Sequence, residues 1–170
     1  MRINVLIMKG VEMSTTIISS NADILELISC PKIFVSAPRK PALINRNSTQ
    51  TFSVIGEKNE LKFDIFITFS ARMPQDFSLG LMHDGFLLLR CNGFHGTTKA
   101  GFYNHSHHAH PHAHVLTIAD IENGRGKKPS FIEDLTGKYV NLDTAKVYFF
   151  DRCSILEYEK YFDVNQMTLY

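Results

Sequence analysis

The sequence predicts an α+β domain: an antiparallel meander of five to six strands, with an N-terminal helix and a C-terminal helix packed on one face of the sheet. Three observations predict this class. A capped helical segment stands near the N-terminus, two consecutive hairpins occupy the middle, and a segment with helical spacing lies near the C-terminus. The chain of 170 residues is long enough for one domain with its own core.

The first helix is predicted from residues 20 to 29. Ser20 has the side chain of an N-cap, Asp23 stands at the N3 position, and Pro31 ends the segment. Residues 1–13 are expected to be a flexible or non-native leader, because Met8 and Met13 are alternative starts, and residues 14–170 then form the single domain.

Period-two alternation of apolar and polar residues predicts the strands. The predicted strands of the two hairpins cover residues 50–55, 61–69, 77–82 and 85–92. Asp84-Gly85 is a strong tight-turn signal between the last two, and His83 in that turn is expected to be a solvated surface residue. The residues expected on the core face of the second hairpin are Phe77, Leu79, Leu81, Leu87, Leu89 and Cys91. Those expected on the other face are Ser78, Gly80, Met82, Phe86, Leu88, Arg90 and Asn92.

A loop of about 17 residues follows the second hairpin, a length that is more often functional than merely connective. A further strand is predicted near residues 110–119, then an exposed basic turn over 123–129. In that turn Lys127 and Lys128 are expected to be solvated, with phosphate contact as the lesser alternative. The C-terminal helix is predicted over residues 141–153, with Asn141 or Asp143 as its cap.

Charge and cysteine content exclude some classes of function. The net charge is +1, from 18 Lys and Arg against 17 Asp and Glu, so the chain has no broad basic footprint for nucleic acid. A nucleic acid or nucleotide would therefore be bound at a local site. The three cysteines form no C-x-x-C pair, and no apolar run approaches the length of a membrane span, so we expect a cytoplasmic protein without membrane contact.

The histidines are concentrated in one window, since seven of the eight lie between residues 91 and 114. On a strand, His110, His112 and His114 would point to one side. Arg90 and Asn92 share a parity at the end of the preceding strand, so an antiparallel return would bring them to His112 and His114. His95 would lie nearby.

Two chemistries fit this constellation. A metal ion, Zn²⁺ above all, would take His110, His112 and His114 as ligands, or an H-x-H pair with a third ligand from His95, Asp64 or a loop histidine. Histidine tracts also capture metal without using it.

The second chemistry needs no metal and no other cofactor. Here His112, His114 and His95 act as acid and base in cleavage of a phosphate ester, while Arg90 holds the phosphate. Asn92, Gly93 and Tyr139 would help to bind the substrate. A purely structural interpretation is also open, in which Arg90 pairs with Asp64 and Gly93 only permits a turn.

Several short motifs, in order, resemble a bacterial and phage family that has no assigned activity. They are Asp76-Phe77-Ser78-Leu79-Gly80-Leu81, then Leu89-Arg90-Cys91-Asn92-Gly93-Phe94-His95-Gly96, then His112-Ala113-His114, and then Thr136-Gly137-Lys138-Tyr139. The likeness covers roughly residues 60–155. The chain is also similar to the TumE-type toxins of toxin–antitoxin modules in its strand hairpin, His-rich segment and final helix. The resemblance implies a context of genetic conflict, and it implies no mechanism.

The leading hypothesis is thus a small mobile-element conflict protein that acts as a toxin-like ribonuclease or phosphoesterase, a hydrolase of RNA or nucleotides. An alternative is a non-catalytic, phage-encoded inhibitor of a host defence complex, similar to an anti-CRISPR, that acts by binding protein. A second alternative is a metal-binding protein with a His-x-His site. The partner would be RNA or a nucleotide in the first case, and an antitoxin or a defence complex in a protein-binding role.

Overall fold

The computed structural model describes residues 17–38, 48–95 and 105–162, and over these ranges the chain is α+β with one antiparallel sheet. The leader predicted for residues 1–13 lies outside the described residues. The strands are β1 Lys32–Phe34, β2 Ser48–Gly56, β3 Lys62–Phe69, β4 Phe77–His83, β5 Phe86–Asn92, β6 His112–Val115 and β7 Phe131–Asp134. The helices are α1 Asn21–Ser29, α2 Ile118–Glu122 and α3 Leu142–Arg152, with single 3-10 turns at Ser106–Ala109 and Tyr158–Lys160.

The described sheet has seven strands in the order β1 to β7, so every strand pairs with its neighbour in sequence. The prediction of five to six strands is therefore too low, although the antiparallel meander is confirmed. The strands that the sequence analysis missed are β1 and β7, of three and four residues. Segments so short carry too few alternations for a period to be recognised.

Local capping signals place the ends of α1 and α3. The Ser20 side chain accepts from the Asp23 backbone N–H and the Asp23 carboxylate accepts from the Ser20 backbone, which completes a capping box. Asn141 caps α3 in the same reciprocal way with Thr144, so of the two caps left open it is Asn141 that serves. Both helices start where the sequence predicts.

The strand predicted over residues 110–119 is wrong in its second half. Only His112–Val115 pair as β6, and the chain then turns into α2. Thr117 and Asp120 form a capping box at the start of this helix, a Thr-x-x-Asp signal that competes with strand formation. The consequence is a short β6 that ends just beyond the histidines.

One face of the sheet is the hydrophobic core. The buried side chains of α1 and α3 belong to the same apolar cluster as Ile65, Leu79 and Cys91 of the sheet. The other face of the sheet carries Ser78 of β4, Arg90 of β5 and polar side chains of β6. The sheet thus separates an apolar layer from a polar one, as half-buried antiparallel sheets do.

A β-bulge changes the parity of β5 near its start. Leu89 pairs with Leu81 but Leu87 pairs with Met82, so Leu88 is an extra residue on β5. Leu88 is fully buried in the core cluster, whereas Leu87 lies outside that cluster and lines a cavity with Arg90. The faces predicted for Leu87 and Leu88 are therefore exchanged, because the strict alternation assumed from the sequence is interrupted.

His83 is also a correction, since it is only 4% exposed. Its Nδ1 lies 2.7 Å from the Lys62 carbonyl oxygen and its ring packs on Phe63 at 4.8 Å between centroids. The turn predicted at Asp84-Gly85 is present, with left-handed φ values of 46° and 80°. Among the described residues no helix has the length and apolar character that a bilayer span requires.

Candidate functional site

Pairing of β5 with β6 brings the predicted cation, amide and histidines together. Arg90 lies directly opposite His114, and Asn92 lies directly opposite His112. Residues opposite each other in an antiparallel pair project to the same face, with Cβ atoms about 5 Å apart. His112 and Asn92 are fully buried, while Arg90 and His114 are half-buried at the edge of a cavity.

A chain of hydrogen bonds runs across this face. The Arg90 Nε and Nη2 groups donate to Ser78 Oγ at 3.3 and 2.9 Å. The Ser78 hydroxyl donates to Asn92 Oδ1 at 2.7 Å, which leaves the Asn92 amide to donate to His112 Nε2 at 3.3 Å. Two of the five guanidinium N–H groups are thus aimed at Ser78.

Backbone carbonyls set the protonation of the two strand histidines. His112 Nδ1 lies 2.9 Å from the carbonyl oxygen of His110, and His114 Nδ1 lies 3.1 Å from that of Pro129. A carbonyl only accepts, so each Nδ1 carries the hydrogen and each neutral ring presents a lone pair at Nε2. This is the arrangement in which proteins hold histidines for metal binding.

His107 completes a three-histidine group. The 3-10 turn Ser106–Ala109 folds back over β6, and one ring nitrogen from each of His107, His112 and His114 lies within 4.8 Å of the others. The structure does not bring His110 into this group; its Nδ1 lies 3.4 Å from Asp134 Oδ1 instead. His110 precedes the strand, so the parity that the sequence analysis assigned to it does not apply.

His95 and His108 pack beside the group. His95 Nε2 lies 3.2 Å from His112 Nε2, and its ring stacks on His108 with 4.0 Å between centroids. The Nδ1 atom of His108 is buried and has no hydrogen-bond partner among the described residues.

The imidazoles are held neutral. Burial is the largest of the causes that together lower the pKa of His112 to about 4; the neighbouring histidines act in the same direction, and the hydrogen bond to the His110 carbonyl opposes them. Burial, then the charges of His108 and His112 and of Arg90, lowers the pKa of His95 to about 3. The pKa values of His107 and His114 are lowered as well, first by burial. Neutral rings are the form that binds metal.

No family model, no curated protein and no solved structure matches this chain. The site is therefore interpreted from its own geometry. The resemblance described from the motifs stays an expectation.

Two of the predicted binding residues lie behind the site. Tyr139 is 3% exposed, and its hydroxyl donates to the Asn92 carbonyl oxygen at 2.8 Å; burial raises its pKa. The Gly93 N–H donates to the Phe77 carbonyl oxygen at 3.0 Å, and an added Cβ would collide with the Gln75 carbonyl. Both residues hold the end of β5 in place, so their contribution is to position Asn92.

Several site residues were missed at the level of sequence. The alternation of residues in its strand predicts which face of the sheet Ser78 occupies, and nothing more. The loop that places His107 in the group has no periodic pattern in the sequence. Asp120 was detectable through its Thr-x-x-Asp capping box, and it acts on the site indirectly. Its carboxylate accepts from the Ser130 hydroxyl at 2.6 Å, next to the Pro129 carbonyl that binds His114. Asp64, weighed as a ligand and as an Arg90 partner, accepts from Ser53 instead.

Proposed function

We propose that the protein binds a divalent transition-metal ion of the Zn²⁺ class through His107, His112 and His114, and that this site, with Arg90, hydrolyses phosphate esters of RNA or nucleotides. The observation that carries the proposal is the convergence of three histidine nitrogens within 4.8 Å on one face of the sheet. Three histidines with a remaining open position are a donor set typical of catalytic zinc.

The residues fit such an ion in three respects. A tetrahedral ion with Zn–N bonds of about 2.1 Å places its ligands about 3.4 Å apart, so small side-chain rotations close the group. The Nδ1 hydrogens of His112 and His114 are taken up by carbonyls, which leaves Nε2 of both for a ligand bond. His112 Nε2 has two contacts, 3.3 Å to the Asn92 amide and 3.2 Å to His95 Nε2; both are long, and a bound ion would displace both.

Arg90 supplies the substrate contact in this proposal. Its three remaining N–H groups match the oxygens of a phosphate bidentately, and Ser78 holds the guanidinium in orientation. Among the described residues no carboxylate oxygen lies within 4.0 Å of its nitrogens, and Asp76 acts on it from a longer distance, so no direct ion pair competes with a bound phosphate. A bound ion of this class supplies Lewis acidity and a lowered pKa for a coordinated water.

Acid–base catalysis by the histidines without metal is supported less well. A general acid must carry a proton at the working pH. A His112 with a pKa of about 4 and a His95 with a pKa of about 3 are neutral at pH 7. We therefore assign His112 to metal binding, and His95 to the wall of the site.

The test begins with zinc binding by untagged protein, measured by calorimetry and elemental analysis. We expect one ion per chain, with loss of binding in His107→Ala and His112→Ala and retention in His110→Ala. The His110 variant is a matched control, because it removes an imidazole of the same segment outside the group. Equal zinc binding by all three variants would show only an unspecific histidine tract.

Activity is then measured on bis(4-nitrophenyl) phosphate and on a short single-stranded RNA, before and after chelation. We expect hydrolysis that requires zinc and falls by about 100-fold in Arg90→Ala, since a charge-assisted phosphate contact stabilises the transition state by about 3 kcal/mol. Hydrolysis that survives both chelation and Arg90→Ala would reject the proposed site.

Binding of a protein partner is the second candidate, and the exposed outer strand favours it. Of the described strands β7 pairs only with β6, and its Phe131 and Ile132 are 54% and 38% exposed. A free edge with apolar side chains suits pairing with a strand of another protein. If inhibition of a host defence complex is the function, Phe131→Asp abolishes it and His112→Ala does not; the opposite result excludes this candidate.

A further inference from the structure

Two cavities lie side by side next to the histidine group. The smaller, of about 150 Å³, is lined by Leu87, Arg90, His114, Lys127, Lys128 and Pro129. The larger, of about 570 Å³, is lined by the turn at Asp84-Gly85, by Phe86 and by the loop that carries the same two lysines. Lys127 and Lys128 line both cavities, and we call the two cavities together the basic groove.

The loop that carries these lysines is anchored at both ends. The Gly126 carbonyl accepts from the Leu87 N–H at 2.8 Å, which ties the loop to β5. At the other end, the Asp120 carboxylate accepts from the Ser130 N–H at 3.2 Å and from its hydroxyl. A loop held in this way presents its side chains with little ordering cost on binding.

The groove is polarised by its charges. Arg90, Lys127 and Lys128 line the smaller cavity, and within the described part of the chain none of them forms an ion pair shorter than 4.0 Å. Asp76 is the acidic side chain that acts electrostatically on Arg90, and it lines neither cavity. Asp120 is held by Ser130 and pairs with Arg125 at 3.6 Å. Three unpaired cations around one small cavity favour a compact anion.

The larger cavity, which Arg125 and the same two lysines also line, differs by one aromatic and one acidic side chain. Phe86 is half-buried and lines it, packed so closely against Gly126 that a Cβ there would collide with the ring. Its volume falls within the range of about 300–1,000 Å³ of small-molecule sites. Asp84 contributes a carboxylate that accepts from hydroxyl or amino groups, as acidic residues do with ribose. The cavity is therefore suited to an aromatic, hydroxyl-bearing group.

We infer that the basic groove binds one nucleotide unit, with the phosphate between Arg90, Lys127 and Lys128 beside His114, and the nucleoside against Phe86 in the larger cavity. This inference names the substrate class of the proposed hydrolytic site and rests on that proposed function. The order of the two cavities places the phosphate, and not the base, next to the histidine group.

The experiment measures binding of adenosine 5′-monophosphate, inorganic phosphate and adenosine to the protein, with and without added zinc, by calorimetry. We expect the monophosphate to bind at least about tenfold more tightly than phosphate or adenosine, because both cavities are then filled. Equal affinities for the monophosphate and for phosphate would overturn the role of the larger cavity. Binding of a single-stranded oligonucleotide with no binding of the monophosphate would overturn the single-unit site.

Variants separate the two cavities. Lys127→Ala/Lys128→Ala is expected to weaken monophosphate and phosphate binding by about tenfold or more, while Lys138→Ala, an exposed lysine lining neither cavity, changes neither. Phe86→Leu, which keeps apolar packing on Gly126, is expected to weaken binding of the monophosphate alone. Unchanged affinities in both variants would overturn the groove.

The outcome is distinguishable from that of the metal proposal. Normal zinc binding with no effect of the lysine variants rejects the groove and leaves the metal site standing. Nucleotide binding that responds to these variants in a protein that binds no zinc supports the groove and rejects the metal-dependent hydrolase.

Discussion

At the scale of single residues, Lys32 shows how the core tolerates a buried cation. The side chain is fully buried, and its ammonium group donates to the carbonyl oxygens of Ile28 at 2.8 Å, Cys30 at 2.8 Å and Cys153 at 3.1 Å. It also lies 4.7 Å from the Phe63 ring centroid. Burial lowers its pKa, and the three carbonyls that end α1 and α3 depend on it as a donor.

We predict that Lys32→Met lowers the free energy of unfolding by about 2–4 kcal/mol, because methionine fills the space and leaves the carbonyls without a donor. Urea unfolding followed by circular dichroism measures the change. Lys58→Met is the control, since Lys58 is exposed and a surface substitution changes stability by less than about 0.5 kcal/mol. An equal, small effect in both variants would show that the buried ammonium is not a structural donor.

Side-chain type and position along a strand are sufficient to predict some of the residues of the site, but not all of them. The pairing of Arg90 with His114 and of Asn92 with His112 follows from period two and an antiparallel return, and the structure has both pairs. His107 could not be selected in the same way. Its position is set by a 3-10 turn before Pro111, and such a turn has no repeating pattern in sequence.

At the scale of elements, the contact between β3 and β4 depends on a missing side chain. Gly80 lies opposite Phe66, and a Cβ on Gly80 would collide with that ring. The glycine lets an aromatic side chain cover the strand beside Ser78 and Arg90. This is a close approach that only glycine permits.

We predict that Gly80→Ala destabilises the protein by about 1–3 kcal/mol, because the Phe66 ring must leave its position. In the double variant Gly80→Ala/Phe66→Leu the loss should be smaller than the sum of the two single effects, since the smaller side chain removes the collision. Thermal and urea unfolding of the four proteins give this coupling. Additive effects would mean that the ring and the glycine do not interact.

The link between α2 and the loop that carries Lys127 and Lys128 depends on the charge of Asp120. Burial raises the pKa of Asp120, but hydrogen bonds from Ser130 and Thr117 outweigh it, and the net pKa is below the ordinary 3.8. The folded protein thus binds fewer protons here than the unfolded chain between the two pKa values. The stabilisation is present above pH 3.8 and is lost as the pH falls through the folded pKa.

We therefore predict that Asp120→Asn destabilises the protein most at about pH 7 and that the difference from the parent shrinks as the pH falls below 3.8. Urea unfolding at several pH values measures it. Asp143→Asn is a suitable comparison, because Asp143 forms only an exposed ion pair with Lys146. A destabilisation that does not depend on pH would show that hydrogen-bond geometry, and not the charge, is what Asp120 contributes.

At the scale of the whole molecule, the sheet separates the hydrophobic core on one face from the polar candidate site on the other face. The core cluster includes buried residues of α1, of β2 to β6 and of α3. The opposite parity of β4, β5 and β6 carries the hydrogen-bonded chain from Arg90 to His112. A rigid sheet is a good support for a site that needs its groups within a fraction of an ångström.

We predict that zinc stabilises the entire domain. At a free concentration of about 100 times the dissociation constant, binding adds about 2.7 kcal/mol and raises the melting temperature by roughly 5–10 °C. Differential scanning fluorimetry with and without a chelator measures the shift. His107→Ala should melt like the metal-free parent and show no shift, whereas His105→Ala, an exposed neighbour outside the group, should keep it. No shift in the parent protein would contradict the metal site.

The sequence by itself determined the class of fold, the cap of α1, and the face on which Arg90, Asn92, His112 and His114 stand. These features follow from short-range rules of capping and alternation, which act within a few residues. Only the tertiary structure decided the short outer strands, the bulge at Leu88, the burial of His83 and Lys32, and the choice of His107 over His110. Each of these depends on strand pairing, turn geometry or packing between segments, whose energies no local pattern of residue types contains.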